Sequence, residues 1–365
     1  MNKFKLALSA FAEAGCRSMH QQSDQQFKKA AFAQANPRSL SKIQPSSKFA
    51  FFTVALLAIG LAQALQAGDG KSMPVQMTPA PDWREFAISP VSNPIFFEDP
   101  RIRTEVRLVF LYNRVGDDFG LRLPGGDLNL GGADIYAYGA QIRYAITPRL
   151  AIIATNDVGI YFEPDRPIEG TGFQKFTGYS DLDVGFKYAL VDSPEHQFLF
   201  TPILTYAIPT GARRVFQGDN SGIFDVAFST EKGFDKFHLI GNAGVRIPVD
   251  TDRNSTSLHY SLHADYYVCR YFVPLVEFNG WTVLDSPSGR KGPLGVFNTA
   301  VNTEGADLIN FGASNLEGNT QAAIGVGFRS KLCKNVDFGF IYEHSVTSPR
   351  GAFEQRVTTD LIIHF

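Results

Sequence analysis

Two histidines, a serine and an aspartate lie close together in the segment His259-Tyr-Ser261-Leu-His263-Ala-Asp265. At alternate positions of a strand they would share one face, with neighbours about 6 to 7 Å apart. Serine, histidine and aspartate together suggest a hydrolase, in which histidine removes the serine proton and the carboxylate orients the histidine. That chemistry needs serine and histidine in hydrogen-bond contact, and neighbours on one strand face are too far apart for it. We therefore keep a hydrolase only as an alternative.

The elements that carry such faces are strands. From Ile102 onward, apolar and polar residues alternate in runs separated by Gly, Pro, Asp and Asn clusters, and no stretch after residue 100 keeps a helical period. About twelve runs of this kind are long for soluble strands, and roughly ten tilted residues cross a bilayer. The runs lie near residues 102–114, 134–146, 149–162, 179–191, 196–208, 222–232, 236–248, 256–269, 272–284, 318–331, 335–346 and 352–365.

The connections between these runs are alternately short and long. Thr147-Pro148 and Arg270-Tyr271 are short, whereas residues 115–133, 163–178 and 285–317 form long connections. This alternation of short and long connections is typical of a transmembrane barrel with short periplasmic turns and long outer loops. In a soluble β-sandwich, the alternative, the apolar faces would pack inside. We predict an all-β fold, a closed antiparallel transmembrane β-barrel of about twelve strands, in the outer membrane of a Gram-negative bacterium and in contact with its lipid.

Composition agrees with a β-rich protein whose outer surface is not entirely in water. Charged residues make up only 19% of the 365 residues, aromatic residues make up 13%, and there are 33 glycines. The formal net charge of −2 gives no indication of a nucleic-acid partner. No Cys/His cluster predicts a metal site, and we expect no cofactor. Cys269 and Cys333 would lie about 9 to 10 Å apart, too far for a disulfide, so we expect two free thiols.

The N-terminal part has the pattern of an export signal. Residues 49–67, FAFFTVALLAIGLAQALQA, follow Lys42 and Lys48 and end in small residues suited to a signal peptidase. A membrane-spanning helix is the alternative, because the run is almost long enough. We interpret residues 1–48 as a leader extension, disordered or upstream of the true start. Residues 68–101 are then a periplasmic linker or a plug segment, and residues 102–365 form the barrel.

The chain ends in the strand-like sequence VTTDLIIHF, in which Leu361, Ile363 and Phe365 share one face. Because a sheet in lipid must close on itself, this last strand must pair with the first. The terminal aromatic residue and the alternation resemble the C-terminal sorting signal of bacterial outer-membrane barrels. The resemblance implies recognition by the barrel-assembly machinery.

If the apolar faces meet lipid, the polar faces enclose a lumen. Charges of both signs would line it, either as a salt-bridged interior or as a charged constriction that selects solutes. The lumen-facing candidates are Arg103, Glu105, Arg107, Arg143, Asp181, Asp183, Lys187, Arg246, His259, His263, Asp265, Glu277, Asp337 and Glu343.

Residues 178–250 contain an Asp-rich strand, then Pro209-Thr210-Gly211, then Ser221-Gly222 with Asp225, and then the stretch from His238 to Gly244. This order is similar to that of the outer-membrane barrel family called "MetA-pathway of phenol degradation", over roughly half of the mature chain. The resemblance implies a channel for small solutes, including apolar or aromatic ones, and brings no catalytic residues.

The His-x-Ser spacing also resembles that of the outer-membrane phospholipase A family. The site of that family faces lipid near the outer rim, however, and the Asn-Gly-Arg-like sequence that follows it is missing here. We predict a non-enzymatic, porin-like transport channel for the passive passage of small solutes. The alternatives are a plugged barrel with a structural or adhesive role, and an outer-membrane lipid hydrolase.

Overall fold

The computed structural model describes residues 82–123, 125–167, 173–218, 221–287, 301–348 and 352–365. The predicted leader extension (residues 1–48) and export signal (residues 49–67) lie outside these residues. Residues Asp82–His364 form one compact unit. Within the described ranges, no helix is both long enough and apolar enough to cross a membrane.

The described residues form seventeen strands and two short 3₁₀ helices, Trp83–Glu85 and Arg213–Val215. The strands are β1 (Glu105–Val115), β2 (Gly120–Leu123), β3 (Gly126–Asn129), β4 (Ala133–Thr147), β5 (Leu150–Ala154), β6 (Val158–Pro164), β7 (Phe176–Tyr179), β8 (Leu182–Tyr188), β9 (Val191–Ser193), β10 (Phe198–Ile208), β11 (Ile223–Phe234), β12 (Phe237–Pro248), β13 (Thr256–Tyr266), β14 (Val273–Asp285), β15 (Thr320–Cys333), β16 (Val336–Ser345) and β17 (Gln355–His364).

The main sheet closes on itself. Strand β1 pairs antiparallel with β17, placing Glu105 opposite His364, and with β4, placing Glu105 opposite Arg143. Strands β5 and β6 share one position in the wall beside β4, and β7, β8 and β9 share the next. The remaining strands β10 to β17 follow in chain order, so the wall has twelve positions. This confirms the predicted closed antiparallel barrel of about twelve strands.

Burial alternates along the strands, with the apolar side chains outside. Phe186 is 50% exposed, whereas Asp183 in the same strand is 3% exposed. In β17, Arg356 and Asp360 are buried and Leu361 is partly exposed. The outer belt includes Leu108, Phe110, Ile152, Val226, Leu262, Val276 and Val326. A soluble sandwich would show the reverse arrangement, so the outward faces meet lipid and the polar faces enclose the lumen.

The two ends of the barrel differ. At one end, here called the turn end, two residues join β4 to β5 and two join β11 to β12. The opposite end, here called the loop end, carries the long connections, including the β2–β3 hairpin and the second 3₁₀ helix. Outer-membrane barrels have short periplasmic turns and longer outer loops, so the turn end faces the periplasm.

Candidate functional site in the barrel lumen

The predicted lumen-facing residues are mostly buried. Eleven of the fourteen are less than 9% exposed: Glu105, Arg107, Arg143, Asp183, Lys187, His259, His263, Asp265, Glu277, Asp337 and Glu343. Arg103, Asp181 and Arg246 are partly exposed. Asp181 lies between β7 and β8 rather than within a strand, and its carboxylate accepts the amides of Gly211 and Gly218 at 2.8 and 3.1 Å.

Residues 82–104, here called the luminal segment, enter the barrel from the turn end. Trp83 is buried beside the β11–β12 turn, and Phe86 packs on Tyr267 with ring centroids 4.9 Å apart. The segment turns back at Asn93, whose carbonyl accepts the Phe97 amide at 2.9 Å. It then returns to the start of β1. The described part of the predicted linker or plug, residues 82–101, therefore lies inside the barrel.

Glu98 fixes the returning half of the luminal segment. Its carboxylate accepts two hydrogen bonds from Arg143, at 2.8 and 2.6 Å, and one from Lys187 at 2.7 Å. Its carbonyl accepts the Ser229 hydroxyl at 2.6 Å. Burial alone would raise the pKa of Glu98, but the two cations outweigh burial and hold the pKa below its usual value. Glu98 is therefore an ionised anchor between three wall strands.

The entering half is anchored on the opposite wall. Glu277 on β14 accepts the amides of Val91 and Ser92 at 2.9 and 2.6 Å. Arg107 on β1 and Arg329 on β15 donate to the Pro90 carbonyl at 3.0 and 3.2 Å. Because anchors lie on strands all around the barrel, the luminal segment fills the cross-section rather than lining one wall.

The loop end is closed by a cluster of apolar side chains, here called the loop cap. Its loop members are Phe119, Leu121, Phe173, Val215, Phe216, Val301, Ile309, Phe311 and Leu316, and it packs on strand residues such as Leu111 and Phe162. Apolar burial stabilises these loops together with a few backbone contacts, such as the bridge between Leu121 and Val301.

Glu304 organises one of these loops. Its carboxylate accepts the Ser255 hydroxyl at 2.8 Å and the backbone amides of Gly305, Phe311 and Ala313. Burial raises the pKa of Glu304, and these hydrogen bonds only partly offset the burial. The Glu304 carboxyl group thus joins the backbone of Gly305, Phe311 and Ala313 to Ser255.

Two cavities lie between the luminal segment and the loop cap. The first, here called the apolar cavity, has a volume of about 30 Å³ and is lined mainly by apolar side chains, among them Ile95, Leu111, Ile160, Phe216 and Leu308. The second, here called the polar cavity, is also about 30 Å³ and is lined by residues including Asp183, Arg246 and Asn254. Asn156, Phe216 and Leu308 line both, so the two cavities are neighbours.

The barrel wall is interrupted beside these cavities, between β5 and β6 and between β7 and β8. Around this wall break, Gln141 donates to the Thr155 carbonyl at 2.5 Å, and the Ser180 hydroxyl donates to the Asn156 carbonyl at 2.7 Å. A Cβ atom at Gly139 would lie 2.1 Å from the Asp157 carbonyl oxygen, so only glycine allows the close approach. Side chains thus replace ladder hydrogen bonds at this point of the wall.

The histidines of the segment from His259 to Asp265 contact carboxylates and do not form a triad with Ser261. The Ser261 hydroxyl donates to Asn279 at 2.6 Å, and His259 Nε2 lies 3.0 Å from Asp225. His263 lies between Glu277 and Asp265, at 2.7 and 2.9 Å. Ser261 therefore donates to an amide oxygen and not to a histidine. Within the described ranges, no group of three or more His, Cys, Asp or Glu side chains could hold a metal ion.

The expectation of two free thiols is half right. Cys333 is free and exposed, whereas Cys269 is disulfide-bonded. The expectation for Cys269 is therefore wrong. The distance argument considered only Cys333 as a partner, and it did not test any other pairing.

Several lumen residues were missed by the sequence-based prediction. Asp360 binds both Arg107 and Arg329, at 2.6 and 2.7 Å, and Arg356 pairs with Asp307 at 2.7 Å. Arg329, Arg356 and Asp360 all lie on polar strand faces, so their parity alone could have identified them. The contribution of Glu98 had no such signal, because the luminal segment has no period.

A closed antiparallel barrel with an apolar belt outside and charged residues inside is the fold of bacterial outer-membrane β-barrels, and the protein is located in that membrane. No family model and no curated protein matches the chain. The crystal structure of an outer membrane channel from Pseudomonas putida F1 is 11% identical, covers 76% of this chain and 100% of its own, and has a TM-score of 0.52.

Two further solved barrels are similar at lower scores. The translocator domain of the autotransporter NalP from Neisseria meningitidis is 9% identical, with 86% of this chain and 98% of its own covered and a TM-score of 0.45. The NanC porin is 8% identical, with 72% and 99% covered and a TM-score of 0.40. At this level of identity the Pseudomonas putida structure shows a shared fold, and the two lower scores add nothing to that conclusion.

Proposed function

We propose that the protein is an outer-membrane channel for small apolar solutes. The observation that carries this proposal is the apolar cavity, which lies between the luminal segment and the loop cap and borders the wall break. A lumen that served only as a filled support would gain stability from packing this space. The similar Pseudomonas putida structure is that of an outer membrane channel, which supports the same function.

The wall break is the proposed exit for these solutes. Below the cavity, the path to the turn end is filled by the luminal segment and its buried ion pairs. An apolar solute makes no favourable contacts along that charged path, whereas it is soluble in the hydrocarbon outside the wall. Asn156, Val158 and Ser180 line the apolar cavity and also flank the break. A small opening there would connect the cavity with the membrane interior.

Uptake of an apolar fluorescent probe by vesicles with a lipopolysaccharide outer leaflet tests this function. Ser180→Ala removes the hydroxyl that bonds the Asn156 carbonyl and the Val158 amide, at 2.7 and 3.1 Å. We expect it to raise probe uptake severalfold and to leave ion conductance unchanged. Ser193→Ala, on β9, is the matched control. Uptake no faster than in protein-free vesicles, for both wild type and Ser180→Ala, would refute the channel proposal.

A plugged structural barrel is the second candidate, and the filled lumen favours it. Anchors on opposite walls hold the luminal segment, and the loop cap covers the other end. Under this function the protein conducts no solute in any state. The same vesicles, with planar-bilayer recordings of wild type, therefore separate the two candidates.

A further inference from the structure

We propose that the outer side of the wall break binds lipopolysaccharide, and that the Asp157 carboxyl group forms hydrogen bonds with the hydroxyl and amide groups at the top of its acyl chains. This inference goes beyond the channel proposal and does not depend on it, because a lipid can occupy the outer side of the break whether or not a solute leaves there. The site lies on the face of the wall opposite to the two cavities.

Asp157 is a polar residue on the outward face of the wall. It is exposed, whereas its neighbour Asn156 is 9% exposed and lines both cavities. Asp157 itself lines neither cavity. It has the parity of Tyr161, which is partly exposed, whereas Phe162 is 3% exposed and faces the lumen. The Asp157 side chain therefore faces the membrane.

A row of tyrosines marks the membrane boundary above Asp157. Tyr112, Tyr136 and Tyr161 lie on the adjacent strands β1, β4 and β6, with ring centroids 5.2 and 5.9 Å apart. Such aromatic girdles lie at the membrane–water interface, and this one is near the loop end, which faces the cell exterior. Asp157 lies four residues below Tyr161, about 13 Å along the strand and less in depth because strands tilt. Its carboxyl group is thus level with the upper acyl chains of the outer leaflet.

The Asp157 carboxyl group has no partner within the described part of the chain. No hydrogen bond or ion pair joins it to another described residue. The next residue, Val158, pairs with Gly139 near the middle of β4, so the position is well inside the wall. An ionisable side chain at membrane depth is costly, and such residues commonly mark functional sites. The partner of this carboxyl group must therefore come from the membrane.

The groups available at this depth select the lipid. Glycerophospholipid chains are joined by esters, whose oxygens accept hydrogen bonds and do not donate them. The primary acyl chains of lipopolysaccharide carry a hydroxyl group, and those on the glucosamine nitrogen also carry an amide N–H. A carboxylate needs donors, a neutral carboxyl group needs an acceptor as well, and a hydroxyl group supplies both. Lipopolysaccharide therefore fits Asp157 in either protonation state.

Two exposed tyrosines complete the surface. Tyr138 and Tyr179 are 56% and 53% exposed, and they lie opposite Gly159 on β4 and β7. Gly159 is two residues from Asp157, about 6 to 7 Å away. A Cβ atom at Gly159 would lie 3.0 Å from the Tyr138 ring, so glycine lets this ring lie against the wall. The two rings offer apolar faces to an acyl chain and hydroxyl groups to its head group.

Native mass spectrometry of the purified protein with two synthetic lipids tests the site. The first lipid is a diacylglucosamine 1-phosphate with 3-hydroxytetradecanoyl chains, and the second is its analogue with plain tetradecanoyl chains. The two have the same charge and chain length, so they differ only in the acyl hydroxyl groups. We expect wild type to bind the hydroxylated lipid about tenfold more tightly, as for one hydrogen bond to a carboxyl group. Phosphatidylglycerol should bind no more tightly than the plain analogue.

Three variants locate the binding. Asp157→Leu should abolish the preference for the hydroxylated lipid, and an apolar side chain on the lipid face is compatible with folding. Asp157→Asn keeps a donor and an acceptor and should retain part of the preference. Thr359→Leu, on the outward face of β17, is the matched control and should bind both lipids as wild type does. Heat-modifiable gel mobility confirms that each variant is folded.

Equal affinity of wild type for the two lipids would overturn the proposal, and so would an undiminished preference in Asp157→Leu. Equal loss of the preference in Thr359→Leu would also overturn it, because the belt as a whole would then bind the lipid. If Asp157→Leu does not fold, a smaller preference in Asp157→Asn than in wild type supports the site, and an equal one refutes it. None of these results bears on uptake of the apolar vesicle probe, so failure of the lipid site and failure of the channel are separate outcomes.

Discussion

Replacing Glu98 with glutamine should release the luminal segment while leaving the barrel intact. The carboxylate joins three charge-assisted hydrogen bonds from Arg143 and Lys187, and all three side chains are less than 5% exposed. Removing one charge of a buried pair costs about 3 to 5 kcal/mol, because the partner stays buried and uncompensated.

The lower end of that range applies here, because part of the charge is compensated. Arg143 also lies 3.5 Å from Glu105, and Lys187 also donates to the Asp99 carbonyl at 2.6 Å. A loss of about 3 kcal/mol changes an equilibrium more than a hundredfold. The lost stabilisation shifts the luminal segment from its inserted state to a released state, because water can solvate both cations once the segment has left. The backbone ladder of the barrel is not touched.

Single-channel recording in planar bilayers measures the outcome. We expect the open fraction of Glu98→Gln to exceed that of wild type by about two orders of magnitude, with an unchanged thermal midpoint of the barrel. Glu85→Gln, at an exposed position of the same segment, should behave as wild type. Adding Lys187→Met to Glu98→Gln removes one orphaned cation and should restore part of the closure. Equal open fractions in Glu98→Gln, Glu85→Gln and wild type would refute the anchoring role of Glu98.

Three further predictions concern the loop cap, the outer belt and the C-terminus. Because the folded pKa of Glu304 is raised above its ordinary value of 4.5, its contribution to loop stability is complete below that value and is lost as pH rises towards the folded pKa. Amide exchange of residues 305–313, corrected for intrinsic rate, should therefore accelerate from acidic to neutral pH in wild type and in the exposed Glu317→Gln control, but not in Glu304→Gln. Val226→Arg, on the outer belt, should destabilise the barrel in lipid vesicles by about 2 to 4 kcal/mol in urea titrations, whereas Glu195→Arg in a turn should not; equal effects would mean that the belt does not face hydrocarbon. Phe365→Ala should lower the fraction of folded protein in outer membranes, judged by heat-modifiable gel mobility, while Phe365→Tyr and Thr359→Ala should assemble normally; normal assembly of Phe365→Ala would remove the proposed sorting signal.

The wall of the barrel was predictable because lipid and lumen impose a period of two on every strand that separates them. The terminal run shows this well, since Arg356 and Asp360 are buried and Leu361 is not. Ile362 is apolar but has the parity of the polar face, and it is buried on the inner side. A lumen that is filled with protein accepts an occasional apolar side chain.

The sequence pattern does not predict the wall break, because it indicates one continuous strand near residues 149–162. The structure ends β5 at Ala154 and starts β6 at Val158. Three polar residues in succession, Thr155 to Asp157, were the available signal, since they break the alternation. The contacts that stabilise the break could not be predicted from this run alone, because Gln141 and Ser180 come from the neighbouring wall positions.

The luminal segment could be proposed from the sequence only as one of two possibilities, since its partners are distant in the chain. Val91 bonds to Glu277 across 186 positions, and no local pattern reports such a contact. Several charged side chains of the lumen have their hydrogen-bond partners on the luminal segment. Arg143 and Lys187 lie on β4 and β8, whereas Asp265 and Glu277 lie on β13 and β14. With the segment in place, the Glu98 carboxylate binds Arg143 and Lys187, and the Glu277 carboxylate binds the amides of Val91 and Ser92. The salt-bridged interior describes the lumen with the segment in place, and a selective constriction is what we expect of a lumen from which the segment has left.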